Sequence, residues 1–204
     1  MDNDNYLKDI SEIKSLMHKS SRFISLSGLS GILAGIYALT GSALAYWLVT
    51  TDNNNTINVN ENIFSFILII LASIAFLSII TAILLSIKKA KKNGEAIWDS
   101  TSKRLVLNFL TPLLTGGLYI IIVLNTQPYG QTAALMLIFY GLALISASKH
   151  SIGDIKYLGF LEITIGIFCA QMPDYGFWLW VLGFGILHII YGIWMYFKYD
   201  LKTQ

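Results

Sequence analysis

No charged residue interrupts this chain between Arg22 and Asp52, between Glu61 and Lys88, or between Arg104 and Lys149. A bilayer core about 30 Å thick is crossed by about 20 apolar residues in a helix, so each run is long enough to span. The run after Arg104 is long enough for two crossings. Asn125-Thr126-Gln127-Pro128-Tyr129-Gly130-Gln131 divides it, because Pro and Gly mark a turn there. Met172-Pro173-Asp174-Tyr175-Gly176 divides the final apolar stretch in the same way. The pattern predicts an all-α polytopic membrane protein with spans at 23–49, 63–87, 105–124, 132–148, 156–171 and 177–197. Backbone amides in lipid must be satisfied internally, and these runs lack the alternation of a barrel strand, so the spanning element is the helix.

Composition agrees. The 204 residues are 55% hydrophobic and 13% charged, with a mean hydropathy of +0.62. Soluble domains carry about 25% charge, so lipid is the expected solvent for most of the surface. Residues 1–22 are predicted to form a cytoplasmic amphipathic segment, 23–198 the transmembrane domain and 199–204 a cytoplasmic tail. Tyr6, Ile10, Ile13 and Met17 recur at helical spacing among charges, as in a helix lying on the membrane surface. Ala43-Leu44-Ala45 has the outline of a signal-peptidase site, but the apolar stretch around it is too long for a signal core, so an uncleaved first span is expected. A short interfacial helix is expected around Ile97 and Trp98, and Asn54-Asn55-Thr56 matches a glycosylation sequon. Cys169 is the single cysteine, which excludes an intrachain disulfide and a cysteine metal cluster.

The cations set an orientation. Lys8, Lys14, Lys19 and Arg22 precede span one. Lys88, Lys89, Lys91, Lys92, Lys103 and Arg104 follow span two; Lys149 and Lys156 follow span four; Lys198 and Lys202 follow span six. These are all 14 Lys and Arg residues, and every one falls on the same side of a six-span chain. Positive charge is retained in the cytoplasm, so both termini are predicted to be inside. Asp2, Asp4, Asp9 and Glu12 offset the N-terminal lysines, and no nucleic-acid partner is expected.

The spans also resemble one another. Gly35-Ile36-Tyr37, Gly117-Leu118-Tyr119 and Gly166-Ile167-Phe168 mark the odd spans. Tyr140-Gly141-Leu142 and Tyr191-Gly192-Ile193 mark spans four and six, and Thr81-Ala82-Ile83 is a degenerate form in span two. Gly28 and Gly35 align with Gly159 and Gly166. Three tandem helical hairpins inserted in one sense imply a pseudo-threefold axis along the membrane normal. Gly28, Gly31, Gly35, Ala38, Ser42 and Ala45 place small residues on one face of span one, where helix backbones can approach closely. Gly166 and Gly192 are expected to pack in the same manner. Such a seam can also serve self-association into a homo-oligomer.

The run from Gly159 through Gly166-Ile167-Phe168, Pro173 and Leu182-Gly183 to Tyr191-Gly192-Ile193 resembles the HdeD-like family of bacterial membrane proteins, which are built from repeated helix pairs with this glycine and proline punctuation. The likeness is close over the last hairpin and looser over the first two. Through Ser20–Gly28 and His188-Ile189-Ile190-Tyr191-Gly192, the whole chain is similar to a group of bacterial six-span membrane proteins. The resemblance implies the bacterial inner membrane and, because HdeD is associated with acid resistance, a role in membrane or pH stress. It supplies no catalytic or ligand residues.

Two residues stand out chemically. Glu162 is the only acidic residue within a predicted span, and His188 the only histidine. An intramembrane carboxylate is costly and points to function by default. If the last hairpin folds about Asp174, position 162 faces about position 186, within a turn of His188. The pair then reads either as a proton-sensing or ligand-binding site, or as a static hydrogen bond locking two spans. Asn108, Thr111 and Thr115 share a face beside Pro112; they line a polar cavity or re-satisfy the carbonyls that proline frees. Tyr140 and Tyr191, in equivalent repeat positions, are candidates to face a central space with Tyr37 and Tyr119. Trp178, Trp180, Tyr129 and Tyr175 fit an aromatic belt.

Metalloprotease, phosphate-loop, nucleophile-elbow and dithiol motifs are absent from the sequence. No enzyme activity, cofactor or metal is therefore expected. The expected function is a non-catalytic membrane or pH-stress sensor with a small lipid-like ligand cavity. The alternative is a small-molecule or proton-coupled transporter or channel using Glu162 and His188.

Overall fold

The computed structural model describes residues 26–52, 61–94, 97–126 and 131–201. Among them are six helices and no strand. They are α1 (Gly28–Asp52), α2 (Glu61–Lys92), α3 (Ser100–Thr126), α4 (Thr132–Ser148), α5 (Ile155–Gln171) and α6 (Pro173–Asp200). Four of them, α1, α2, α3 and α6, are long and apolar enough to cross a membrane. α4 and α5 have 17 residues each, at the short end of what spans a bilayer. The surface matches that character: Phe66, Ile69 and Phe76 of α2 and Leu107, Leu114 and Leu118 of α3 are all more than half exposed. The N-terminal amphipathic segment and the Asn54 sequon lie outside the described residues.

The helix ends follow local chemistry. α2 stops at Gly94, whose φ of 66° is the left-handed conformation that glycine adopts without a Cβ clash. Asp99 starts α3 by accepting the Ser102 amide at 2.7 Å, a capping bond that satisfies one of the free amides of the first turn. That bond holds the Asp99 carboxyl below the usual carboxylate range. The interfacial helix expected around Ile97 and Trp98 does not form: residues 97–99 are bends, and the cap at Asp99 takes the chain directly into α3. Pro173 cannot continue α5 and opens α6 instead. Within α6, Val181–Leu187 and Tyr196–Asp200 wind more widely than an α-helix, with i→i+5 turns.

Glycines decide how the helices meet. A methyl group at Gly28 of α1 would lie 2.7 Å from the Gly192 carbonyl oxygen of α6, and one at Gly35 would lie 2.6 Å from that of Gly185. A methyl at Gly159 of α5 would lie 2.7 Å from the Gly141 carbonyl of α4, and one at Gly166 would lie 3.1 Å from that of Ala134. The flanking contacts correspond too: Ile189 sits at Gly35 as Ile138 sits at Gly166, and Tyr196 at Gly28 as Ile145 at Gly159. One constant step along the sequence carries the α1 positions onto α5, and another carries the α6 positions onto α4. The α1·α6 and α4·α5 interfaces are two copies of one packing unit, built across the helical hairpins rather than within them. The third glycine behaves differently. A methyl at Gly117 of α3 would meet nothing within 4 Å, and α3 packs on α4 through Gly116 and the Phe139 ring. α2 packs on α1, with Ile70 and Ile74 against Gly41.

One end of the bundle is tied by ions. Asp200 accepts Lys89 Nζ at 2.5 Å and the Gly28 amide at 3.0 Å, joining the end of α6 to the end of α2 and the start of α1. Lys89 also donates to the Leu26 carbonyl at 2.9 Å. Asp154, before α5, accepts both Lys198 and Tyr199 of α6 at 2.5 Å. Its partial burial opposes ionisation, but the two hydrogen bonds and the Lys198 charge outweigh it and hold the carboxyl below the usual range. Lys89, Lys149, Lys156 and Lys198 thus gather at one end, as alternating helices require.

Candidate functional site

The interior where α4, α5 and α6 meet is largely apolar. Leu137, Leu144, Ile155, Leu158 and Cys169 are buried there. Among them Glu162 is fully enclosed, at 0% exposure, and His188 is 5% exposed. The widened turns of α6 set the pair's geometry. Gly183 has no side chain, and the Glu162 carboxyl occupies the space where one would be: an added Cβ would lie 2.7 Å from Oε2. Leu137 closes the other side of that notch, its methyl 2.5 Å from the same point.

His188 is held at both ring nitrogens. Nδ1 lies 3.0 Å from the Gly183 carbonyl, and Nε2 lies 2.8 Å from the Tyr140 hydroxyl. A neutral ring that donates from Nδ1 to the carbonyl accepts the Tyr140 proton at Nε2. Glu162 Oε1 stands 3.4 Å from the same Nδ1, and neither of its oxygens has a hydrogen-bond partner. A buried carboxyl without a partner is costly, because desolvation is not offset. The separation is an ion pair only when the ring carries a second proton.

Aromatic rings surround the pair. Trp180, Phe184 and His188 form a ladder on α6, with centroids 5.0 and 5.8 Å apart. Tyr140 tilts onto both Phe184 and His188 and meets Phe109 of α3 edge-on. Trp180 Nε1 and the Tyr191 hydroxyl are buried without a hydrogen-bond partner in the same region. A proton gained by the ring would reverse the Tyr140 hydrogen bond, since both nitrogens would then donate. Glu162 is the acceptor placed to stabilise that state.

The structure thus brings Glu162 and His188 together, with Tyr140 as a third member. Tyr191 packs beside them, against the cluster of Leu144, Ile155 and Leu158. Tyr37 and Tyr119 do not converge on this space: Tyr37 bonds Thr81 at 3.2 Å between α1 and α2, and Tyr119 is half exposed against Phe139. Thr111 and Thr115 sit on the exposed face of α3, and their hydroxyls donate to the carbonyls of Leu107 and Thr111 at 2.8 Å. Of the two readings of this face, these bonds fit the one in which the helix takes up its own hydroxyls beside Pro112. Asn108 donates to the Arg104 carbonyl and accepts Ser146 of α4 at 3.3 Å, away from Glu162. Trp178 and Tyr175 are exposed, as a belt requires, whereas Trp180 turns inward and stacks on Phe184. The i, i+4, i+8 spacing of Trp180, Phe184 and His188 was the available signal for that ladder. Among the described residues, no group of three His, Cys, Asp or Glu side chains could hold a metal.

Comparison with family models, with curated proteins and with solved structures returns no match to this chain.

Proposed function

We propose that this chain is a bacterial inner-membrane protein of six spans, with both termini in the cytoplasm. It belongs with the HdeD-like proteins, is not catalytic, and registers membrane or pH stress through the Glu162–His188–Tyr140 cluster. The observation that carries this reading is the fully enclosed Glu162 carboxyl, unpartnered at both oxygens and 3.4 Å from His188 Nδ1. Histidine changes charge in the physiological range. Proton uptake by this pair reorients the Tyr140 bond and tightens α5 against α6. The six-span reading is supported by four long apolar helices, two short ones of spanning length, and the gathering of lysines at one end.

The test uses the full chain in phosphatidylcholine nanodiscs, with Trp180 as the only tryptophan. Its emission is expected to change on acidification, and the change to vanish in Glu162→Gln and His188→Gln. An unchanged titration in both variants, with only a lowered melting temperature, would leave the pair a static lock and overturn the sensing role.

The widened turns at Val181–Leu187 favour a second reading, proton-coupled transport, because irregular helix at mid-depth is where transporters place their sites. Proton flux into liposomes that disappears with Glu162→Gln would establish transport in its place.

A further inference from the structure

An open groove of about 500 Å³ lies at the α4–α5 connection, the end where the lysines gather. Ile145 and Phe160 form its apolar wall, and Phe160 is half exposed. Lys149 and Lys156 stand on its rim, both exposed. Its one acidic residue, Asp154, is already engaged, since Oδ2 accepts Lys198 and Tyr199 together. Lys149 and Lys156 enter no ion pair among the described residues, although Lys156 lies 5.1 Å over the Tyr157 ring. The groove therefore offers two cations beside an apolar wall, at the level of lipid headgroups.

We infer that this groove binds the headgroup of an anionic phospholipid of the inner leaflet, with Lys149 and Lys156 on the phosphate and Ile145 and Phe160 against the glycerol and first acyl carbons. Basic pockets at the cytoplasmic ends of spanning helices suit that ligand, and the anionic leaflet attracts such lysines. The two lysines flank the α4–α5 connection, which the Asp154 clasp ties to α6. The inference rests on the proposed orientation and supplies that reading with its lipid-like ligand.

The experiment is native mass spectrometry of the full chain released from nanodiscs of phosphatidylcholine mixed with phosphatidylglycerol. Retention of phosphatidylglycerol over phosphatidylcholine is expected, falling roughly fivefold for each lysine removed in Lys149→Ala and Lys156→Ala. Lys91→Ala with Lys92→Ala, a control at the end of α2, should retain the lipid. Equal losses in the control would show general charge attraction and overturn the site. Displacement by inorganic phosphate alone would show a free-phosphate site and overturn the lipid assignment. Melting curves of the lysine variants should match the parent, since both side chains are exposed. The pH response of Trp180 is read in phosphatidylcholine alone, so either proposal can fail without the other.

Discussion

The α1·α6 and α4·α5 interfaces are built from the same contacts, while α3 carries the third aligned glycine and uses it for nothing. Gly35 and Gly166 each lie against a backbone carbonyl of the neighbouring helix; Gly117 faces open space. The motif is therefore not what makes the seam. Close approach comes from a partner helix that presents its own small residues: Gly185 and Gly192 on α6, Ala134 and Gly141 on α4. The corresponding stretch of α2, around Thr81-Ala82-Ile83, carries no glycine, and Ile79 and Ile83 there are half exposed. Helix association in lipid depends on van der Waals fit rather than on expelling water, so a one-sided glycine gains little.

The strongest way to break this comparison is a large side chain in each seam. Gly28→Leu and Gly159→Leu should both cost about 3 kcal/mol or more, because the obstructing atoms are backbone and cannot step aside. Reversible unfolding in mixed detergent micelles measures it, and a clear difference between the two would show that the interfaces are not equivalent. A smaller change sharpens the contrast. Gly35→Ala and Gly166→Ala should each destabilise by about 1–3 kcal/mol. Gly117→Ala should be neutral or up to about 1 kcal/mol stabilising, from helix propensity alone. A comparable loss at Gly117 would mean that α3 is packed on that face after all.

The smallest effect concerns the ionic tie below the α4·α5 seam. Asp154 has its folded pKa depressed, so it contributes stability above the unfolded carboxylate value, and that contribution is lost as pH falls through the lowered folded value. Asp154→Asn should lower the melting temperature by only about one or two degrees near pH 7, since the pair is largely solvent-screened. Parent and variant curves should converge once the pH falls below that lowered folded value. A difference that persists there would assign the effect to lost packing rather than to charge.

Much of the fold was legible because lipid enforces simple rules. Runs without charge, broken at Pro128 and Pro173, mark helices whose limits the structure reproduces within a few residues, and the predicted 132–148 coincides with α4. The Glu162–His188 contact was legible from hairpin register, since two residues roughly equidistant from one turn must come close. Tyr140 as the histidine's partner was not, because it lies on a different hairpin and no local spacing relates it to His188. Gly183 as the notch for the carboxyl was also hidden: a glycine among many in α6 acquires that role only from what α5 places over it. Thr111 and Thr115 left two readings open for the opposite reason, as a shared polar face does not reveal whether a helix turns it toward a neighbour or outward.

The order of apolar and charged residues alone determined the helices among the described residues and the end at which Lys89, Lys149, Lys156 and Lys198 gather, because those depend on the length and apolar character of each segment. Which aligned glycine meets a partner, and what surrounds Glu162, were decided only by tertiary packing. Those outcomes depend on the shape of a second helix distant in the chain, which no single segment specifies.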